Sequence, residues 1–518
     1  MSRKGHILAG IVLAALALML FAAAGAEPFE PVDLPVIYLH LDGGEAAVFA
    51  MNDSADHSVR CTGKMDIVVP DGYDGGIGGA YPQGTVKGLK LDYIRGRGNG
   101  SWGNSKKPYK IKLEEKTNLF GLGKNKHWVL MTNYDASQIR NWITGWMGER
   151  LGLEFTPMGA FVEVVMNDEY LGIYYLCEQI RIAKTRVAID ELTAGDSSLP
   201  AIQGGYLIDF FPEDEGADRF ETEHMLQLGS HTPSFNPADD GYENEAQKQY
   251  IRTFIQQAED AVFAADGRNA QGRGYGEMID LQSLADYWWI MEFSCNGDAF
   301  RTDSTHMYKK RYEADGSEGK LYFGPLWDFD DAWGNWLSDG TQQVGFNNSY
   351  FPWMSELRKK PEFLALLRAR WDVFQAALDE MTREGGLLDA TRDELQGAMG
   401  REMDRWGEMW NDLNGESLRR FPDEVEHIRN TIALRRQWIN EHMDRLGMVD
   451  FQLTIRIEGQ EDEIVSLPAD GWVDPFMISV PEGWEATAFL LEDGTNVENG
   501  FRMEQDTTLT VQCAPMDE

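Results

Sequence analysis

The chain has 518 residues, of which 43% are hydrophobic and 11% aromatic. This composition can bury cores in roughly two to four domains and excludes a disordered or low-complexity protein. The 47 Lys and Arg residues against 85 Asp and Glu residues give a formal net charge of −38. A charge of this sign excludes a broad phosphate-binding surface and disfavours nucleic acid as a partner.

The first 26 residues have the pattern of a secretory signal peptide. Arg3 and Lys4 precede an apolar run from residue 7 to about 23, and Ala24-Gly25-Ala26 supplies a cleavage site after Ala26. An uncleaved anchor is the alternative, because an apolar run of about 17 residues can just span a bilayer. Either reading predicts an exported, secreted or cell-surface protein, and cleavage leaves a mature chain without a membrane span.

Residues 31–113 alternate between apolar and polar side chains in short runs separated by Gly- and Asp-rich turns, which predicts a β-rich opening. A helix is predicted from near Ala136, because apolar residues from Ile139 to Met147 recur at helical spacing. Strands are predicted at 161–166 and 171–177, joined by a hairpin turn at 167–169, and again at 204–211.

Residues 213–245 are acidic and aperiodic, which predicts a long surface loop. Helical spacing follows at 246–265, 280–294, 355–382, 390–411 and 422–446, interrupted by a loop-rich insert at 296–350. Alternation returns at residues 449–518, which predicts a small all-β domain.

Several site classes are excluded by residue type. The four cysteines, Cys61, Cys177, Cys295 and Cys513, lack the spacing of a disulfide framework or a zinc site. The sequence also has no HExxH and no GxSxG motif, which excludes those zinc proteases and serine hydrolases.

The first candidate site is the stretch from Arg95 to Leu113. Its glycines and lysines could cradle phosphate, because flexible backbone lies next to positive charge: Gly96, Gly98, Gly100, Lys106, Lys107, Lys110 and Lys112. A β-turn followed by a solvated basic strand is the alternative. Strand alternation puts Lys110 and Lys112 on one face and Lys107 on the other.

The second candidate site combines two acidic clusters, at 296–303 and 327–331. Their carboxylates are Asp298, Asp303, Asp328, Asp330 and Asp331. Oxygen ligands of this kind suit Mg²⁺ or Mn²⁺, and phosphoryl transfer needs one carboxylate near the acceptor and another on the metal. Calcium-stabilised loops or helix caps are the plainer alternative, and paired carboxylates with sixteen tryptophans would also fit a glycosidase.

Several long stretches together resemble the spore coat protein H (CotH) kinase family of secreted or surface-associated atypical kinases. They are RGRGNGSW with KKPYKIKL, NYDASQIRNWITGWMGERLG, VVMNDEYLGIYYLCEQIRI, GGYLIDFF, DLQSLADYWWIMEFSCNGDAFRTDSTHMYKK and GPLWDFDDAWGN. The resemblance implies an α+β, divergent two-lobed protein-kinase-like fold over residues 32–446. Its β-rich N-lobe is expected at about 32–180 and its helical C-lobe at about 181–446.

The resemblance also implies roles for single residues in binding ATP. The glycines Gly96, Gly98 and Gly100 would cover the phosphates, and Lys107 and Lys110 are the leading candidates for the phosphate-contacting lysine. Glu178 resembles the segment that links the lobes, where adenine would lie. Arg140 is a candidate phosphate or carboxylate partner.

The acidic motifs carry the remaining implied roles. Asp298 resembles the carboxylate that accepts the acceptor hydroxyl's proton, with Asn296 ordering its loop. Asp328 resembles the metal-binding aspartate of the kinase D-F-G segment, and Asp330 stands where that glycine would be. Asp303 occupies the position of a kinase asparagine and could also bind metal, whereas Gly100 replaces the family's usual Ser or Thr.

The sequence therefore predicts an exported kinase, dependent on Mg²⁺ or Mn²⁺, that phosphorylates Ser or Thr of secreted or surface proteins. The acidic composition favours a basic acceptor segment. The alternative is a non-catalytic surface adhesin or coat scaffold that retains the fold. Residues 449–518 lie outside the resemblance, and their position suggests an adhesive or cell-wall-facing module.

Overall fold

The computed structural model describes residues 29–73, 83–98, 100–133, 135, 137–210, 220–224, 235–237, 244–296, 304–335, 345–346, 351–414, 421–448, 450–469, 471–481 and 483–515. The predicted signal peptide, most of the predicted 213–245 loop, and Asp298 and Asp303 lie outside these residues. Within the described part, no helix is long and apolar enough to cross a bilayer.

The β-rich opening is a closed seven-stranded barrel in the order β1-β2-β3-β4-β5-β7-β6. Strands β1 and β6 pair in parallel, and the other neighbours are antiparallel. A short helix, α1 (Gly44–Asn52), follows the first strand. The strands are β1 (Val36–Leu41), β2 (Arg60–Val68), β3 (Val86–Gly96), β4 (Tyr109–Asn118), β5 (Lys124–Met131), β6 (Gly159–Met166) and β7 (Glu169–Glu178).

Strand alternation explains the two faces of β4. Tyr109, Ile111 and Leu113 are buried, whereas Lys110 and Lys112 between them are partly exposed. The predicted hairpin is confirmed between β6 and β7, where Asn167 and Asp168 both have positive φ values, 46° and 68°. Two such residues form the turn whose twist matches the flanking strands.

Helix α2 (Arg140–Leu151) begins four residues later than the sequence predicts. The reason is a side-chain turn: Asp135 Oδ1 accepts hydrogen bonds from the amides of Ser137 and Gln138, at 2.7 and 3.0 Å. Gln138 has a positive φ of 61°, which no helix interior accommodates. The apolar spacing from Ile139 onwards is helical as predicted.

A second sheet, in the order β11-β10-β8-β9, lies beyond the barrel strands in sequence. Its strands are β8 (Tyr206–Phe210), β9 (Phe235–Pro237), β10 (Thr305–Lys309) and β11 (Leu321–Phe323). The last two strands fall within the stretch 296–350 that was expected to be loop. They form an antiparallel hairpin across the turn between Tyr312 and Glu318. The sequence did not predict this hairpin because the stretch is rich in polar residues.

The middle of the chain is helical, as predicted, except that the expected helix 355–382 is two helices. Pro361 forces the break: Lys360 before it is extended, and the next helix starts at the proline. The helices are α3 (Glu245–Phe263), α4 (Tyr275–Met278), α5 (Leu281–Ser294), α6 (Pro352–Arg358), α7 (Pro361–Thr382), α8 (Leu387–Asn414) and α9 (Phe421–Glu441).

The barrel and the helices share one hydrophobic core, so the described fold is mixed α+β with its β-rich region first. The C-terminal segment has its own smaller apolar cluster, which includes Leu453, Phe489 and Val511. Its strands form a four-stranded and a two-stranded sheet: β12 (Asp450–Ile457), β13 (Glu463–Pro468), β14 (Trp472–Val473), β15 (Trp484–Leu491), β16 (Phe501–Arg502) and β17 (Thr507–Pro515).

Candidate active site

A cleft lies between the outer face of the barrel, helix α2 and the segment 326–329. Its lining residues are Met131, Asn141, Thr144, Gly145, Pro157, Tyr175, Cys177, Leu326, Trp327 and Phe329. The cleft is partly open, and the volume accessible to water within it is about 20 Å³. That volume accommodates about one water molecule and is far too small for a nucleotide base.

Lys110 lies on the same face of the barrel as one residue of the cleft lining. Lys110 pairs with Val129 of β5, and Val129 pairs with Cys177 of β7, which lines the cleft. Residues paired across neighbouring strands point to the same face, so Lys110 and Cys177 lie on one face about 10 Å apart. Of the two leading candidates, Lys107 and Lys110, it is therefore Lys110 that shares a cross-strand row with a residue of the cleft lining.

Lys107 has a different environment. Its Nζ donates to the carbonyl of Trp102 at 2.5 Å and lies 4.9 Å from the centre of the Trp102 ring. Burial lowers the pKa of this lysine. The ammonium of Lys107 thus secures the 3₁₀ turn at Gly100–Gly103.

The three glycines of the predicted phosphate loop differ in whether the surrounding structure would accommodate a side chain in their place. A Cβ at Gly96 would lie 2.3 Å from the Trp102 ring, and one at Gly98 would lie 2.4 Å from Ser101 Oγ with a φ of +92°. A Cβ at Gly100 would have no neighbour within 4 Å. Packing inside the loop accounts for Gly96 and Gly98, and Gly100 has no steric requirement.

Helix α2 holds the segment after Asp328 at three points. Asn141 Oδ1 accepts from the amide of Phe329 at 2.8 Å, and Arg140 Nε donates to the carbonyl of Ala332 at 2.8 Å. The indole of Trp333 donates to Thr144 Oγ1 at 2.8 Å. The motif at the start of α2 thereby positions the acidic segment.

Arg140 is fully buried within a network of charges. Its Nη1 bonds Asp135 Oδ1 and its Nη2 bonds Glu424 Oε1 of α9, both at 2.6 Å. Burial alone lowers the pKa of Arg140, but the two carboxylates outweigh it and hold the pKa above its usual value. All three guanidinium nitrogens donate to protein acceptors, so Arg140 holds neighbouring segments in position. A contact between Arg140 and phosphate stays a prediction.

Asp328, in the second predicted acidic motif, contacts the described residues that flank the stretch 297–303. Its Oδ2 accepts from Ser304 Oγ at 3.2 Å, and its carbonyl accepts from Asn296 Nδ2 at 3.1 Å. Asn296 and Ser304 are the described residues on either side of 297–303, the stretch that contains Asp298 and Asp303. Asp328 itself has a φ of +65°, a conformation in which a non-glycine residue must be held by its neighbours.

The donor types at this segment fit a hard divalent cation. Asp328 and Asp330 are partly buried carboxylates two positions apart on one loop. Among the described residues, no group of three or more His, Cys, Asp or Glu side chains could hold a metal. Two carboxylates completed by phosphate oxygens and water are an ordinary donor set for Mg²⁺, so the residues fit a cation that arrives with a nucleotide.

Glu178 is the last residue of β7 and follows Cys177, but its side chain bonds groups outside the cleft lining. Its carboxylate is ion-paired with Arg186 and accepts from the amide of Met158 at 3.1 Å. Burial raises the pKa of Glu178 to about 7, against the opposing effect of Arg186. The side chain ties β7 to the following segment, and an adenine contact stays a prediction.

The sequence did not single out the buried ion pair between Lys106 and Glu402. The two side chains are fully buried and 2.6 Å apart, and Lys106 also donates to the carbonyl of Ile173 at 2.6 Å. Glu402 lies on α8 and also accepts from the amide of Ile173 at 2.8 Å. The only signal in the sequence is the lysine cluster itself, because the partner is 296 positions away.

Comparison with protein families gives a match for this chain. A family model described as CotH kinase protein matches residues 94–439, more than half of the chain. Comparison with curated proteins finds no match. The matched range includes the glycine loop, helix α2, both acidic motifs and most of α9.

Proposed function

The chain belongs to the CotH kinase protein family, which is kinase-like, and from this premise we propose that it is an exported kinase. In the proposal it transfers the γ-phosphoryl group of ATP to Ser or Thr of secreted or cell-surface proteins. Export rests on the signal-peptide pattern of residues 1–26.

One observation carries the proposal: the described residues on either side of 297–303 both bond Asp328, next to the cleft-lining Trp327. Asn296 and Ser304 bond Asp328, and Asn141 bonds the next residue, Phe329. The row from Cys177 to Lys110 crosses the barrel face next to this segment. Kinases combine a lysine on a sheet with metal-binding carboxylates, and the proposal assigns these parts to Lys110 and to the loop of Asp328.

Each side chain then has a role in the proposed reaction. Lys110 pairs with phosphate oxygens, and Asp328 and Asp330 hold Mg²⁺ or Mn²⁺. Asp298 accepts the proton of the acceptor hydroxyl, and Asn296 orders its loop. When bound, the cation offsets negative charge on the phosphates.

In the proposal the cleft widens to admit the nucleotide, since the volume accessible to water in it is only about 20 Å³. Kinase-type sites commonly close and open around their nucleotide. The same small volume is the observation that favours the second candidate, a surface adhesin or coat scaffold without turnover.

The test is phosphorylation by the chain from Glu27 onwards, with γ-labelled ATP and Mg²⁺ or Mn²⁺. We expect label on the protein itself or on a basic acceptor in the wild type, and its loss in Asp298→Ala and in Asp328→Ala. Asp372→Ala on the exposed face of α7 is the matched control and should retain activity. If the wild type neither transfers label nor binds ATP, the proposal is wrong and the scaffold is favoured.

The net charge of −38 supports a basic acceptor segment as the substrate class. A peptide array that varies the residues around Ser and Thr tests this. We expect higher incorporation where Lys or Arg flank the acceptor, with an advantage that shrinks at high salt. Equal incorporation into acidic and basic peptides would contradict it.

A further inference from the structure

The loop that follows β3 contains a cation that the site described so far does not use, Arg97. The backbone amide of Arg97 donates to the carbonyl of Pro108 at 3.3 Å, which fixes the loop against the start of β4. Its side chain is partly exposed. The guanidinium lies over the indole of Trp327, 5.5 Å from the ring centre.

That contact places Arg97 at the cleft. Trp327 lines the cleft and immediately precedes Asp328. Cys177 also lines the cleft and lies within electrostatic range of Arg97: burial raises the pKa of its thiol to about 12, and the charge of Arg97 acts in the opposite direction. The guanidinium therefore lies beside the cleft, against Trp327 and within electrostatic range of Cys177.

Arg97 differs from the other cations near the cleft in its hydrogen bonding. Lys106 is ion-paired with Glu402, and Arg140 is ion-paired with Asp135 and Glu424. Within the described residues, the guanidinium of Arg97 makes neither an ion pair nor a hydrogen bond, not even with nearby Asp328. Its cation–π contact with Trp327 involves no hydrogen bond to the N–H groups of the guanidinium.

We propose that Arg97 is a phosphate-binding residue of the cleft, which lies on Trp327 while the cleft is narrow and pairs with nucleotide phosphate oxygens when it widens. A guanidinium matches two phosphate oxygens with parallel N–H groups. Such charged hydrogen bonds are stronger than a partly exposed contact with an aromatic ring, so phosphate displaces the arginine from Trp327. This inference rests on the proposed function, because it assumes that the cleft binds ATP.

The test is equilibrium binding of ATP, ADP, AMP and adenosine by calorimetry, each with Mg²⁺, to the full chain from Glu27. Arg97→Gln should weaken ATP binding about tenfold or more and leave adenosine binding unchanged, because only the phosphates meet the guanidinium. Arg97→Lys should lose less ATP affinity, since lysine keeps the positive charge but lacks the paired N–H donors of the guanidinium. The nucleotide at which the effect disappears identifies the phosphate that Arg97 contacts.

The matched control is Arg252→Gln, an exposed arginine of α3 far along the chain from the loop, which should bind all four ligands as the wild type does. Thermal unfolding of each variant verifies that the fold is intact. Wild-type ATP affinity in Arg97→Gln, or an equal loss for ATP and adenosine, would overturn the role of Arg97 while leaving the kinase proposal standing. A wild type that binds none of the ligands would overturn both.

Discussion

The glycines of the glycine loop look alike in the sequence, but they have different structural roles. Gly96 and Gly98 look alike in the sequence, yet Gly96 provides space for the Trp102 ring and Gly98 adopts a positive φ beside Ser101. Gly100 has neither constraint. A loop pattern typical of phosphate binding thus includes glycines that its own packing demands.

Gly96→Ala should destabilise the protein by about 1–3 kcal/mol, because its Cβ would overlap the buried Trp102 ring. Gly100→Ala is the matched control and should change the free energy of unfolding by less than about 0.5 kcal/mol. Urea unfolding of both variants measures the difference. Equal stabilities for the two variants would show that the Trp102 ring moves aside without cost.

Glu178 predicts a dependence of stability on pH. Its pKa is about 7 in the folded protein against an ordinary 4.5, because burial disfavours the carboxylate. Between these values the unfolded chain releases the proton while the folded protein keeps it. The folded state therefore binds more protons, and the stability contributed by this group is present below about pH 4.5 and is lost as the pH rises through 7.

Glu178→Gln removes this titration and keeps the shape of the side chain. The free energy of unfolding of the wild type, relative to the variant, should fall between pH 4.5 and 7 by about 1 kcal/mol per pH unit at its steepest. Denaturant titrations at several pH values measure this difference. Parallel pH profiles would mean that the Glu178 carboxyl does not titrate in this range.

At the scale of elements, helix α2 is the support of the acidic segment. Arg140, Asn141 and Thr144 each bond a different residue between Phe329 and Trp333. Arg140 additionally connects the turn at Asp135 to Glu424 of α9. The start of α2 therefore couples three parts of the chain that are distant in sequence.

Replacing Arg140 with Met should cost about 3–5 kcal/mol of stability, because Asp135 and Glu424 would remain buried without their cation. Arg150→Met, on the same helix, is the control. Its pair with Glu380 is half exposed on both sides, so the loss should be within about 1 kcal/mol. Similar losses for the two variants would contradict a structural role for the buried network.

At the scale of the whole molecule, buried charges join the barrel to the helices. Lys106 and Glu402 connect the loop before β4 to α8, and Glu402 also accepts from the amide of Ile173 in β7. The C-terminal strands have a separate apolar cluster and contribute none of these bonds. Their extent as an independent domain, and an adhesive role, stay predictions.

Lys106→Met should destabilise the protein by about 3–5 kcal/mol, since it leaves Glu402 charged and buried. Combining it with Glu402→Gln should recover part of the loss, because the amide is neutral and its oxygen still accepts from Ile173. Guanidinium unfolding of both single variants and the double variant measures the coupling. Additive losses would mean that the two side chains do not interact.

Much of the architecture followed from residue patterns, because local periodicity reports which side of an element is buried. The alternation in β4 predicted that Lys110 and Lys112 share a face, and the helical spacing predicted α3, α5, α8 and α9. The start of α2 and the break at Pro361 differed from the prediction where a side-chain turn or a proline overrode that spacing. The hairpin of β10 and β11 was missed because its strands are short and lie in a polar stretch.

The sequence by itself determined the family, since its long motifs survive in order, and it determined which residue types could serve a nucleotide and a cation. Only the tertiary structure decided what surrounds those residues: Arg140 supports the acidic segment, Lys107 secures Trp102, and Lys110 shares a barrel face with the cleft-lining Cys177. The physical reason is that a buried charge is neutralised by whichever group the fold brings within reach. Partners such as Glu402 and Glu424 lie 296 and 284 positions away, and no local periodicity encodes a contact over such a separation.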